Sequence, residues 1–123
     1  GRAVEWDAET GKELLTQMLT MDEGAAKLGE LALIPVNSPI NNSGILFYST
    51  LFDENASCHV AMGNGFNNCV ENGINMTNEE CRALGINDSM IHVDFMIGTD
   101  DLCITGYKNG VATPIFVNGE WAD

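Results

Sequence analysis

Apolar and polar positions change their period several times along this chain, and the changes mark out short elements. Ala3-Val4-Glu5-Trp6-Asp7-Ala8 alternates as a half-buried strand does. Thr10-Gly11-Lys12-Glu13 has the form of a capping box, and Leu14, Leu15, Met18 and Leu19 follow at helical spacing. A second short helix is expected over 23–28, stopped by Gly29. Glu30 to Pro35 reads as a strand, with Pro35 marking its end or an edge. The stretch 36–44, rich in Asn, Ser and Pro, reads as a loop, and 45–52 as a short helix. His59 to Met62 reads as a strand broken by Gly63-Asn64-Gly65.

The second half is punctuated more sharply. Asn67 to Met76 is polar and irregular, and Thr77-Asn78-Glu79-Glu80 is a second capping box, opening a helix that Gly85 stops. Met90 to Ile97 is a strong strand. Leu102–Tyr107 and Val111–Val117 flank Asn109-Gly110, which is a hairpin signal, and Asn118-Gly119 marks a further turn. Pro114 in the returning strand requires an edge or a bulge. Short helices among hairpin-connected strands indicate an α+β class, with a mixed, largely antiparallel sheet, in a single domain spanning residues 1–123.

Composition narrows the function classes. A chain that is 45% hydrophobic suits a globular protein with a modest core. Five basic residues against 18 acidic ones give a net charge of −13. Phosphates would be repelled, and few cations exist to displace counterions, so nucleic acid is excluded as a partner and anionic membrane surfaces are disfavoured. No apolar run approaches the roughly 20 residues of a membrane span, and no basic-then-apolar leader opens the chain. Cys58, Cys69, Cys81 and Cys103 form no Cys-x-x-Cys pair. Reduced, mostly buried thiols and a cytoplasmic location are the expectation.

Three places carry candidate chemistry. In a strand, residues two apart share a face, so His92 and Asp94 project an imidazole and a carboxylate together from an apolar element. Burying both is costly without a partner, and a cation would serve as one. The alternative is a solvated or mutually hydrogen-bonded pair. Glu54 lies five residues before His59, the only other histidine, and a helix end running into a strand would bring them together. Alone, they read as a capping acid and a surface histidine. Glu30 leads into an apolar run, either as the exposed start of a strand or as a carboxylate able to bridge two cations. Carboxylates with neutral imidazoles suit divalent ions better than thiol-rich sites do. Two such ions about 3.5–4 Å apart polarise a carbonyl and lower the pKa of a water, whose proton a carboxylate collects.

The segments DEGAAKLGELALIPVNSPI (22–40), GILFYSTLFDENASCHVAMG (44–63), IHVDFMIGTDDLCITG (91–106) and PIFVNGEWA (114–122) resemble the thermophilic-type metalloaminopeptidases, the family that includes aminopeptidase T, aminopeptidase S and PepS. The resemblance spans nearly the whole chain and is weakest from Phe66 to Asn75. It implies removal of N-terminal residues from peptides at a site holding two divalent metals, among zinc, cobalt, magnesium and manganese. By motif position Glu30 looks like the metal-bridging glutamate and the catalytic carboxylate, Glu54 like a further ligand, His59 like the first histidine ligand, and His92 and Asp94 like a His-x-Asp ligand pair. The fold implied is the C-terminal catalytic part of a thermophilic metalloprotease-like fold, from a longer enzyme that is a homodimer. The family's further glutamate ligand lies upstream of the matching region. A tyrosine seven residues after the first histidine ligand is replaced here by Phe66, which keeps the ring and loses the hydroxyl. The isolated chain is therefore expected to be a weak or inactive peptidase. Two other readings stand beside this one: a non-catalytic metal- or peptide-binding domain derived from such an enzyme, and a structural domain with solvated acids.

Overall fold

The computed structural model describes all of residues 1–123. It divides into two compact units: Gly1–Leu31 with Val60–Phe95, and Ala32–His59 with Met96–Asp123.

The first unit begins with helix α1 (Lys12–Leu19). The capping box expected at Thr10 does not form. Gly11 is the N-cap, in the left-handed conformation at φ 72°, and no side chain caps the helix. A left-handed turn at this position is open to glycine at little cost and leaves Thr10 outside the helix. The alternating segment 3–8 is likewise not a strand. Arg2, just before it, makes one bridge, with Lys27. Beyond it, the Trp6 indole donates to Thr16 Oγ1 at 2.9 Å and Lys12 pairs with Asp7, tying the segment to α1.

No helix forms over 23–28. The Asp22 carboxylate accepts from the Gly24 amide at 2.9 Å, an Asx-type turn that competes with helical pairing. Strand β1 (Leu28–Ala32) follows, starting earlier and ending sooner than the expected 30–35. It is the first of a three-stranded sheet ordered β1-β2-β3, with β2 at His59–Gly63 and β3 at His92–Met96. Between β2 and β3 lies helix α4 (Asn78–Ala83). Its capping box is as the sequence predicts: Thr77 Oγ1 accepts from the Glu80 amide and Glu80 Oε2 from the Thr77 amide.

In the second unit the expected loop 36–44 contains a helical turn, α2 (Pro39–Ser43). Ser38 caps it by accepting from Asn41 N at 3.1 Å, and Pro39 at the first position is preorganised for helix. The helix expected over 45–52 is shifted: 45–49 is irregular, and α3 (Thr50–Asp53) runs into a 3₁₀ turn, Glu54–Ala56. Asp53 draws this irregular stretch back, accepting from the amides of Phe47 and Ser49.

A second sheet is an antiparallel meander of β4 (Ile104–Lys108), β5 (Val111–Val117) and β6 (Glu120–Trp121). Both turns fall at the Asn-Gly pairs, with Asn109, Gly110, Asn118 and Gly119 all at positive φ. The register shifts between Ile104 and Thr105, opposite Pro114, so the bulge reconciles this proline with a strand that has neighbours on both sides. Phe116, 1% exposed, packs on the Trp121 ring with centroids 4.6 Å apart. All four cysteines are free. Cys58 and Cys81 are buried, but Cys69 and Cys103 are exposed, so the thiols are not mostly buried as expected. No helix is long and apolar enough to cross a membrane.

Candidate metal centre

Strand β3 carries His92 and Asp94 two residues apart, and the pleat turns both to one face. Asp94 Oδ1 lies 3.3 Å from His92 Nε2. Glu30, in β1, brings its Oε2 to 3.1 Å from the same nitrogen. Glu30 and Asp94 each offer an oxygen within 4.8 Å of the other. One imidazole nitrogen therefore faces two carboxylates that sequence separates by more than sixty positions.

The other ring nitrogen fixes how the ring is held. His92 Nδ1 lies 2.7 Å from the backbone carbonyl of Asn64. A carbonyl only accepts, so Nδ1 carries a proton and Nε2 is the nitrogen turned toward the carboxylates. It meets Glu30 Oε2 and Asp94 Oδ1, two electron-rich groups. Asp94 Oδ1 is buried and accepts no hydrogen bond. Three donor atoms converging on one space repel one another unless a positive charge joins them. A second proton on the ring would serve as a hydrogen-bond donor to the oxygens, whereas a divalent cation would use all three lone pairs. The donor set, one imidazole and two carboxylates with a backbone carbonyl behind the imidazole, fits such an ion.

Phe66 packs against the His92 ring, centroids 4.8 Å apart and planes tilted by 49°. It bounds the imidazole with an apolar surface and brings no hydroxyl.

Glu54 and His59 belong to the second unit. Glu54 opens the 3₁₀ turn after α3 and is half-buried. His59, the first residue of β2, is 1% exposed, and its Nδ1 lies 3.0 Å from the Ser57 carbonyl. Its ring is thus held as His92's is, with Nδ1 on a backbone carbonyl. A histidine buried to this degree is not the surface residue its local sequence allows.

Of the five expected ligands, Glu30, His92 and Asp94 meet within the first unit. Asn64, read from sequence only as a strand breaker, proves to orient His92. Its contribution is a main-chain carbonyl, which every residue type has, so no sequence signal marks it.

The profile of the family described as thermophilic metalloprotease (M29) matches residues 1–121. The chain is 50% identical over 123 residues to Aminopeptidase 2 of Geobacillus stearothermophilus, covering 99% of this chain and 30% of that one. It is 43% identical over 122 residues to Aminopeptidase T of Thermus thermophilus, covering 98% of this chain and 29% of the relative. Among solved structures, wild-type AmpT from Thermus thermophilus superposes with a TM-score of 0.86 at 44% identity, over 100% of this chain and 30% of the other. The chain thus spans about a third of the length of these relatives.

Proposed function

The chain belongs to the thermophilic metalloprotease (M29) family, and from that premise we propose that it forms the metal-binding part of an aminopeptidase that removes N-terminal residues from peptides. The observation that carries the reading is the convergence of His92 Nε2 with two carboxylate oxygens, at 3.1 and 3.3 Å. Glu30, His92 and Asp94 are proposed as ligands, with Glu54 and His59 completing the set, for two divalent ions among zinc, cobalt, magnesium and manganese. When bound, such ions supply Lewis acidity toward the scissile carbonyl and ease deprotonation of the attacking water. Glu30 would be one of the residues holding the ions, and its carboxylate is assigned the collection of the water's proton. The Asn64 carbonyl holds His92 with Nε2 turned toward the carboxylates, and the Phe66 ring keeps water from one side of it. Residues 1–123 are proposed to act as one domain within a longer, cytoplasmic, homodimeric enzyme.

Phe66 favours a second reading, in which metal or peptide binding persists without turnover, because the ring beside His92 has no hydroxyl to donate to an oxyanion. One set of measurements separates the two. Calorimetry with zinc should show binding by the full chain, weakened at least about 100-fold in His92→Ala. Aminoacyl chromogenic substrates with zinc or cobalt should then report slow turnover. Zinc binding without turnover, with activity appearing in Phe66→Tyr, selects the second reading. Absence of zinc binding, or equal affinity in His92→Ala, removes both.

A further inference from the structure

Beyond the ligands, a chain of polar contacts leads to β3 from the turn before β1. Asp22 Oδ2 accepts from the Met90 amide at 2.7 Å, and both its oxygens accept from Ser89 Oγ, at 2.9 and 3.0 Å. Ser89 Oγ in turn lies 3.2 Å from the Ile91 amide, which donates to it. On the other side Asn64 grips the same segment: its amide donates to the Ile91 carbonyl at 2.7 Å, and its side-chain oxygen accepts from Ser89 N at 3.4 Å. The next residue is His92, whose Nδ1 must meet the Asn64 carbonyl. Residues 89–91 are thus held between an aspartate 67 to 69 positions upstream in sequence and the backbone that receives the His92 proton.

We infer that Asp22 is a positioning residue for His92: by anchoring Ser89 and Met90 it fixes the depth at which β3 begins, and so where the His92 ring meets the Asn64 carbonyl. Asp22 touches none of the proposed ligands and acts only through this segment. Hydrogen bonds from Met90, Ser89 and Gly24, the Met90 amide foremost, hold its carboxyl below the ordinary aspartate value, so the group is a charged acceptor near neutral pH. Three hydrogen bonds to one carboxylate orient the loop more stiffly than neutral contacts would. The consequence for a metal rests on the proposed function above; the consequence for the placement of the ring does not.

The test uses the full chain with ¹⁵N-labelled histidine, free of metal. In the wild type the His92 Nδ1 proton, held on the Asn64 carbonyl, should appear as a slowly exchanging imidazole resonance. Asp22→Ala should speed its exchange with water by about 10-fold or more and raise the zinc dissociation constant by about 10-fold or more in calorimetry. Thr77→Ala, which removes the α4 cap, is the control: a merely structural loss should move stability and neither of these readouts. If Asp22→Ala keeps the wild-type exchange and zinc affinity, the inference is overturned. If that variant does not fold, Ser89→Ala decides, because it removes only the hydroxyl linking Asp22 to Ile91. A smaller change in the same direction supports the inference, and an unchanged resonance overturns it. Faster exchange in a chain that binds no zinc at all would uphold the positioning role and remove the metal reading.

Discussion

The β1-β2-β3 sheet and the β4-β5-β6 meander are both three-stranded, but they are held by different means. In the meander, order is local. Two Asn-Gly turns reverse the chain, the strands pair with their sequence neighbours, and Phe116 closes against Trp121 five residues away. In the first unit, order comes from distant groups. Asp22 holds Ser89 and Met90, Asn87 Nδ2 donates to the carbonyls of Gly24 and Gly63, and Asn64 receives His92. A region that must converge donors from remote strands depends on polar contacts at long sequence separation, because apolar packing alone has no direction with which to aim an imidazole. The meander carries none of the proposed ligands and needs only turns and a packed aromatic pair.

Two glycines bring that difference to a test. Gly63, in the first unit, has φ 100°, and a Cβ there would run into the Ile91 carbonyl. Gly63→Ala thus combines a strained backbone with a collision at the segment that precedes His92. It should cost at least about 3 kcal/mol in urea denaturation, and Gly63→Asn should be no better. A loss below about 1 kcal/mol would mean that this close approach is not holding the sheet. Gly110, in the meander, has φ 79° and nothing near its Cβ position. Gly110→Ala meets only the left-handed conformational penalty, about 1–2 kcal/mol, and Gly110→Asn should recover much of it because Asn tolerates that region. Equal rescue by Asn at both positions would erase the distinction between turn chemistry and close packing.

The same division decides what the sequence discloses. The hairpin turns, the Thr77 capping box and the His-x-Asp strand are written in residues within a few positions of each other, and each forms as its pattern predicts. The Thr10 capping box and the helix over 23–28 are written just as locally and do not form. Gly11 takes the cap, and the Asp22 side chain takes a turn amide before a helix can use it. For the site, strand alternation puts His92 and Asp94 on one face. Their expected part as ligands, like that of Glu30, Glu54 and His59, rests on motif resemblance, since nothing local distinguishes a ligand from a solvated acid or a surface histidine. Asp22 and Asn64 carry no chemical pattern for their parts, because Asp22 acts on distant amides and a hydroxyl, and Asn64 meets His92 through its main-chain carbonyl.

Acid should expose the smallest of the differences. The Asp22 carboxyl is held below its ordinary value chiefly by the Met90 amide, and that of Glu80 by the Thr77 amide and hydroxyl; both belong to the first unit. For such a group the folded state binds its proton at lower pH than the unfolded chain does. As pH falls, the unfolded state takes up protons first, so the stabilisation is complete above the ordinary carboxylate range and disappears as pH passes through the lowered folded values. Protection of the Met90 and Thr77 amides against hydrogen exchange, corrected for intrinsic rates, should therefore fall between about pH 5 and pH 3. The Gly119 amide donates to the Leu102 carbonyl, which does not titrate, and should keep its protection over the same interval. Asp22→Asn should flatten the Met90 response while leaving that of Thr77 intact. If Gly119 instead loses protection first, acid sensitivity does not follow the carboxylates that anchor the first unit, and the contrast between a sheet aimed by charge and a meander closed by turns fails at this point.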